Sequence, residues 1–385
     1  MKQLRLLVSM LCAFSCLVLP SQGKPSVAVP LAGPDWVGAD GLQFNDTAIY
    51  HNIVVKDIGK KYSIGFDTKA IVVDNNGLPC IAWSGYAQNN FDIYFTRWNG
   101  SKWVNAYGNE IDTNNCNVSN SIGDSYYPSL AIDKDNNPHI SWMDSTQGLT
   151  DIYYAYFSDN NWVNAYGDIL SGANGNITSN PRESLYPKLS INNNGYPCIA
   201  WDDYSPGYDY LMYIYFNGTN WCNIQGEIFT GTNATLGAAF NYYQARHPQV
   251  CGFEIDYQGK PNILYSWKDD GAYNYISVIK WDGSKWNDFI VSKDGPDGWS
   301  FRGGYGASMC KDENGYPVIV WSSHYIGFYR NDPGGSEIFL IKWDGNKWVN
   351  VNNQYYDKLE VAQITHNNCG GITNVVYNNN IIYIL

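Results

Sequence analysis

The phrase NGLPCIAW at residues 76–83 returns as NNPHISW (136–142), NGYPCIAW (194–201), QGKPNILYSW (258–267) and NGYPVIVW (314–321). Its prolines, Pro79, Pro138, Pro197, Pro261 and Pro317, follow one another at intervals of 59, 59, 64 and 56 residues. Self-similarity at a period of this size restricts a chain to solenoids, propellers or arrays. Before each proline lies an apolar run with strand character: KAIVVD, PSLAID, PKLSIN, PQVCGFEID or ASMCKD. After each comes a variable loop and then FDIYFTRW, DIYYAYF, LMYIYF, YISVIKW or EIFLIKW. A tight turn and a fourth run close the unit, as in RWNGSKW (97–103), KWDGSKW (280–286) and KWDGNKW (342–348), with weaker copies ending at Trp162 and Trp221.

Each unit therefore holds four short runs, A to D. The A–B turns carry Asn-Gly or an equivalent and the C–D turns Asp-Gly or Asn-Gly, which reads as two-residue hairpins with both central residues at positive φ. No unit keeps a helical apolar period over ten residues. Composition agrees: aromatics reach 16%, Gly numbers 37, and charged residues are only 16%, which favours strands and turns over helices. Four antiparallel strands per unit describe the blade of a β-propeller. The tryptophans flanking the C–D turn are expected to pack between neighbouring blades.

Five units are complete and a sixth is split. The C-terminal GGITNVVYNNNIIYIL (370–385) matches runs A and B and stops there. At the other end SVAVPLAGPDWVGADG (26–41) aligns without a gap on IYFTRWNGSKWVNAYG (93–108), placing Trp36 on Trp103. The expected fold is an all-β, six-bladed propeller of four-stranded antiparallel blades, its sixth blade closed by the N-terminal and C-terminal hairpins; a chain lacking a seventh blade is the alternative. Closure of this kind removes open sheet edges.

Residues 1–23 read as a secretory signal: Lys2 and Arg5 precede an apolar stretch, and Ser21 and Gly23 suit a cleavage site. That leaves 24–385 as a single propeller domain in a secreted, periplasmic or extracellular protein. Losing Lys2 and Arg5 takes the net charge from −12 to −14. So acidic a chain repels nucleic-acid backbones and anionic membranes, so neither is expected as a partner, and no apolar run after the leader is long enough to span a bilayer. Cleavage also leaves seven of nine Cys, an odd number, so at least one thiol is free or pairs between chains. No Cys spacing marks a zinc site, and the acidic A–B turns lack the length and terminal Glu of a calcium loop. No metal or cofactor is expected. Sequons stand at Asn45, Asn99, Asn117, Asn176, Asn217 and Asn233.

The pattern YPSLAID…P.I.W…DIYYA.F…W resembles the secreted six-bladed propellers related to sialidases and their bacterial-neuraminidase repeats, and WDGSKW is similar to their Asp-box turn. The resemblance implies a propeller and leaves activity open, because such propellers host glycosidases, lyases, lectins and scaffolds. A sialidase uses three arginines, a Tyr–Glu nucleophile pair and an Asp acid. These are not matched residue by residue, so no catalytic residue carries over.

Sequence variation between units concentrates in the B–C loops, which separates scaffold from site. Three of those loops begin with an acid two residues past the run B Trp: Asp144, Asp203 and Asp269. Arg182, Arg246 and Arg302 precede run A in consecutive units. Tyr86, Tyr204, Tyr208, Tyr273, Tyr325 and Phe328 add flat faces, and His324 stands beside Tyr325. Aromatic planes beside planar hydrogen-bonding groups suit a sugar. The alternative is that the acids cap their own loops and the arginines pair with them. The reading is a non-catalytic propeller binding carbohydrate or a surface partner at its funnel face; the alternative is a divergent glycoside hydrolase or polysaccharide lyase, in which two carboxylates would flank a glycosidic bond.

Overall fold

The computed structural model describes residues 17–20, 62–63, 70–87, 89–112, 115–179, 181–205, 208–236, 246–268, 274–293, 307–325, 335–356, 362, 375–378 and 381–384. The described residues are strands and turns, apart from one 3-10 turn at Gly172–Gly175 and a single helical residue, Ala362. None of their helices is long and apolar enough to cross a membrane.

Strand β1 (Leu17–Pro20) is followed by β2 (Tyr62–Ser63) and by five sheets built on one plan. The first sheet holds β3 (Ile71–Val73), β4 (Pro79–Ala87), β5 (Asn90–Trp98) and β6 (Trp103–Val104), with β2 and β3 sharing one edge of β4. The second holds β7 (Ser125–Ile132), β8 (Pro138–Asp144), β9 (Asp151–Ser158) and β10 (Asn161–Val163). The third holds β11 (Glu183–Ile191), β12 (Pro197–Ser205), β13 (Tyr208–Phe216) and β14 (Trp221–Cys222). The fourth holds β15 (Arg246–Ile255), β16 (Pro261–Lys268), β17 (Asn274–Trp281) and β18 (Trp286–Lys293), and the fifth β19 (Ser308–Lys311), β20 (Pro317–Tyr325), β21 (Gly335–Trp343) and β22 (Trp348–Val349). Neighbours in each sheet follow chain order, so every sheet is a meander of the kind found in a propeller blade. Strands β23 (Val375–Asn378) and β24 (Ile381–Ile384) form the expected C-terminal hairpin.

The sixth sheet departs from expectation. The partner of β24 is β1, with Leu17 opposite Ile384 and Pro20 opposite Ile381. An apolar stretch inside the expected leader thus occupies an otherwise open edge. The segment proposed for that place, 26–41 with Trp36, lies outside the described residues.

The repeated prolines each open the second strand of a sheet and are buried; a strand's first residue is a place where a missing N–H is tolerated. The turns are more varied than two-residue hairpins. In the A–B loops five residues lie between Val73 and Pro79, Ile132 and Pro138, Ile255 and Pro261, and Lys311 and Pro317. Each opens with an acid whose Oδ1 accepts two backbone N–H bonds, as Asp74 does from Asn76 and Leu78 and Asp312 from Asn314 and Tyr316. Trp98 pairs with Trp103, Trp281 with Trp286 and Trp343 with Trp348, leaving four-residue C–D loops. There Asn99, Asp282 and Asp344 play the same capping part. Only the glycine takes positive φ, +97° at Gly100 and +110° at Gly283, a conformation for which glycine carries no steric penalty. The single C–D turn with two central residues at positive φ is the irregular copy, Asp159 (+50°) and Asn160 (+59°), between Ser158 and Asn161.

The chain divides into two compact units: residues 1–13, 31–199 and 214–234, and residues 14–30, 200–213 and 235–385. In the first, a core runs between the first and second sheets through Ala82, Ile93, Phe95, Leu130, Ile140 and Ala155. In the second, one core joins the fourth and fifth sheets through Leu264, Val278, Ile319 and Ile341, and another joins the fifth to the C-terminal hairpin through Val320, Leu340, Val375 and Ile382. Trp83, Trp142, Trp201 and Trp321 of run B are at most 1% exposed. In three of the later C–D turns the last Trp packs on the preceding sheet: Trp162 lies 5.8 Å from Phe95, Trp286 5.9 Å from Tyr213 and Trp348 5.7 Å from Phe289.

Candidate functional site

One edge of each sheet gathers the start of its first strand, the end of its second and the start of its third. In the second sheet Ser125 is opposite Asp144, and Asp144 opposite Asp151. This is the edge that carries the divergent loops.

Asp144 is 1% exposed. Its Oδ2 accepts from Ser125 Oγ at 2.8 Å and Trp142 Nε1 at 3.1 Å, and its Oδ1 accepts from the Thr146 N–H at 2.8 Å. Three converging donors make it the cap of its own loop rather than a group turned toward a ligand. Two acids that the sequence reading passed over behave alike. Asp92 accepts from Asn117 Nδ2 and Ser119 Oγ, and Asp151 from Asn176 Nδ2 and Thr178 Oγ1. Ser119 and Thr178 in turn accept the N–H of Ile93 and Ile152. The sequons Asn117-Val-Ser and Asn176-Ile-Thr are thus internal clasps that tie the connecting segment to run C.

Asp203 is fully buried at the end of β12, and the next residue, Tyr204, is 44% exposed. Arg182 is half-buried just ahead of β11, where the Ser184 N–H donates to Thr150 O of the second sheet's B–C loop. Arg246 opens β15, Tyr208 opens β13, and His324 and Tyr325 end β20. Asp269, Arg302, Tyr273 and Phe328 lie outside the described residues.

The most pronounced feature on this edge was not legible in the sequence. Tyr127 and Tyr186, at equivalent places early in β7 and β11, both have φ = +54°. Non-glycine residues seldom enter this region, and the proline that follows each, Pro128 or Pro187, steers its predecessor toward extended conformations. In β7 the pairing register shifts between Tyr126 and Ser129 to accommodate the bulge. The two rings meet edge to face with centroids 4.9 Å apart. Below them the sheets are joined by the Leu189 N–H donating to Ser129 Oγ at 2.9 Å. Lys188, two residues after Tyr186, is 1% exposed, a rare placement for a lysine. Strain held at two equivalent positions marks a place where local backbone preference has been overridden.

No protein-family model and no curated protein matches the chain. Solved structures that resemble it include an ulvan lyase of a new polysaccharide-lyase family, bound to a glucuronate–rhamnose-3-sulfate repeat, at 13% identity over 72% of this chain and 69% of that one, with a TM-score of 0.45. A Dyadobacter fermentans protein of unknown function is 12% identical over 85% and 96% of the two chains, with a TM-score of 0.49. An endo-arabinase from Bacteroides thetaiotaomicron is 13% identical over 72% and 96%, with a TM-score of 0.39. Similarity at this level does not carry a function across.

Proposed function

We propose that the chain is a secreted six-bladed β-propeller whose loop-bearing edge binds carbohydrate, with the Tyr127–Tyr186 pair as its aromatic platform. The observation that carries this reading is the strain itself. Two tyrosines held at φ = +54° on adjacent first strands bring their rings together at the edge where the loops diverge. Packing alone gives little reason to keep an unfavourable backbone twice, whereas a sugar's C–H face requires flat aromatic surface. Arg182, half-buried on the same edge and within this unit, supplies planar donors for hydroxyls or a carboxylate.

Binding is favoured over hydrolysis by the state of the acids. Asp144, Asp92 and Asp151 are each held by several donors within the fold, so their carboxylate oxygens are engaged in holding the loops rather than turned toward a ligand.

A glycan array tests the proposal. The full chain is expected to retain at least one glycan class, and the Tyr127→Gly/Tyr186→Gly double variant to lose it with its fold intact. Retention of nothing by the wild type, or equal retention by the variant, would rule the platform out.

A further inference from the structure

The aromatic surface at the loop-bearing edge continues past the Tyr127–Tyr186 pair. Tyr86, near the end of β4, is opposite Phe91 of β5, and their rings meet with centroids 5.2 Å apart. The Phe91 ring also meets Tyr126 of the second sheet at 4.8 Å. Successive strand residues point to opposite faces. Tyr126 therefore turns to the first sheet, while Tyr127 meets Tyr186 of the third at 4.9 Å. All five rings are half-buried and belong to the same compact unit. They form a strip across the edges of three sheets. Contiguous aromatic surface of this kind, unlike scattered apolar residues, marks a binding surface.

The backbone under the strip is fixed by its own hydrogen bonds. Asn90 Nδ2 donates to Ser121 O at 2.9 Å and to Gly123 O at 2.8 Å, and the Phe91 N–H donates to Asp124 Oδ1 at 2.9 Å. The Asp124 N–H donates to Ser145 Oγ, and the Ser145 N–H to Asp124 O. A Cβ at Gly123 would stand 2.4 Å from the Thr146 backbone nitrogen, so the segment joining the first two sheets lies directly against the second sheet's B–C loop. Phe91 and Tyr126 are thus held in place before any ligand arrives, which spares the cost of ordering them on binding.

We infer that this edge takes a linear polysaccharide, whose chain lies across the first three sheets with successive sugar units on the Tyr186–Tyr127 end, on Tyr126 and Phe91, and on Tyr86. The inference rests on the carbohydrate reading of the Tyr127–Tyr186 pair and adds to it a ligand of several units, bound along its length. One sugar ring covers about the area of one aromatic ring, so a monosaccharide on the tyrosine pair would leave Phe91 and Tyr86 in water. A chain uses every ring of the strip, each meeting the C–H face of another unit.

Isothermal titration of the full chain with the disaccharides and hexasaccharides of xylan, arabinan, galactan, mannan and alginate tests it. At least one hexasaccharide should bind about tenfold more tightly than the disaccharide of the same polymer, the gain from further aromatic contacts. Phe91→Ala should weaken the hexasaccharide about fivefold and leave the disaccharide unchanged. Phe91→Leu, which keeps most of the packing volume but loses the flat face, should do the same. The Tyr127→Gly/Tyr186→Gly variant should lose both ligands. If no saccharide binds, or if that double variant binds as the wild type does, the carbohydrate reading fails and the inference with it. If disaccharide and hexasaccharide bind equally, or if both folded Phe91 variants bind the hexasaccharide as the wild type does, the extended site is overturned and the Tyr127–Tyr186 platform stands.

Discussion

The indole of Trp221 stands edge-on to the buried ring of Tyr154 in the neighbouring sheet, with centroids 5.6 Å apart. The same relation holds between Trp162 and Phe95 at 5.8 Å. Each wedge comes from the final Trp of a C–D turn and rests on run C of the sheet before. Trp162 is 8% exposed and part of the core between the first two sheets. Trp162→Ala should cost about 3–5 kcal/mol, the range for emptying a core aromatic site. Trp343, half-buried on the first side of its turn, should cost less than half of that when changed to Ala. Urea unfolding of the two variants checks the ordering; equal losses would contradict it.

Asn223 follows β14 and is 2% exposed. Its Oδ1 accepts from the N–H groups of Gln225 and Glu227, and its Nδ2 donates to Glu227 Oε2 at 2.8 Å and Asn233 O at 2.9 Å. Asn105, Asn164 and Asn350 hold their own turns in the same way. Asn223→Ala should cost about 2–4 kcal/mol, because the four hydrogen bonds of this buried amide are lost. Asn192, which accepts only from Asn194 and Tyr196 in a more exposed A–B loop, should cost about 1 kcal/mol, like the loss of a helix cap. Thermal denaturation of both variants measures the difference.

His139 is 3% exposed, bonded to the Tyr154 hydroxyl at 2.6 Å, 3.5 Å from Asp133 and stacked on Tyr156. Burial lowers its pKa, and Asp133 opposes that only in part. Burial also works to raise the Asp133 pKa, but hydrogen bonds from His139 and Asn137 outweigh it and hold the carboxyl well below its ordinary range. A histidine with a lowered folded pKa contributes stability above its unfolded value of about 6.5, lost as pH falls from there toward the folded value. The Asp133 contribution is lost separately, below about pH 3.9. Between about pH 7 and about pH 5 the wild type should therefore lose stability more steeply than His139→Asn, which places there the residue type found at the equivalent Asn262. Identical slopes in urea midpoints would contradict this.

Tyr127 and Tyr186 give a test that separates strain from packing. Tyr127→Gly should be about 1 kcal/mol more stable than Tyr127→Ala, because both lose the ring but only glycine is at ease at φ = +54°. Chemical denaturation of the pair checks this, and equal stability would mean the bulge relaxes when the ring is gone.

Much of this architecture is written in the chain. The repeated prolines mark the second strand of five sheets, and the doubled tryptophans mark three of the C–D turns. Turn lengths were less legible. Asp-Gly signals a two-residue hairpin, but at Asp282 and Asp344 the carboxylate holds two N–H groups and stabilises a four-residue loop. The Asn105-type turns went unread because their meaning lies in bonds between residues ten apart, such as Asn105 Nδ2 to Asn115 O. At the site, the position of Asp144 two residues past a run B Trp left ligand contact and loop capping both open, and its environment is set by Ser125 on another strand, which spacing does not reveal. The φ of Tyr127 leaves no trace in composition at all, since a Tyr before Pro ordinarily predicts an extended residue.

The most direct test is isothermal titration of a glycan retained on the array into the wild type and into the Tyr127→Gly/Tyr186→Gly variant. Saturable heat from the wild type, and none from a variant that still unfolds in a single cooperative transition, is the predicted result. Equal affinity in the two proteins would contradict the account.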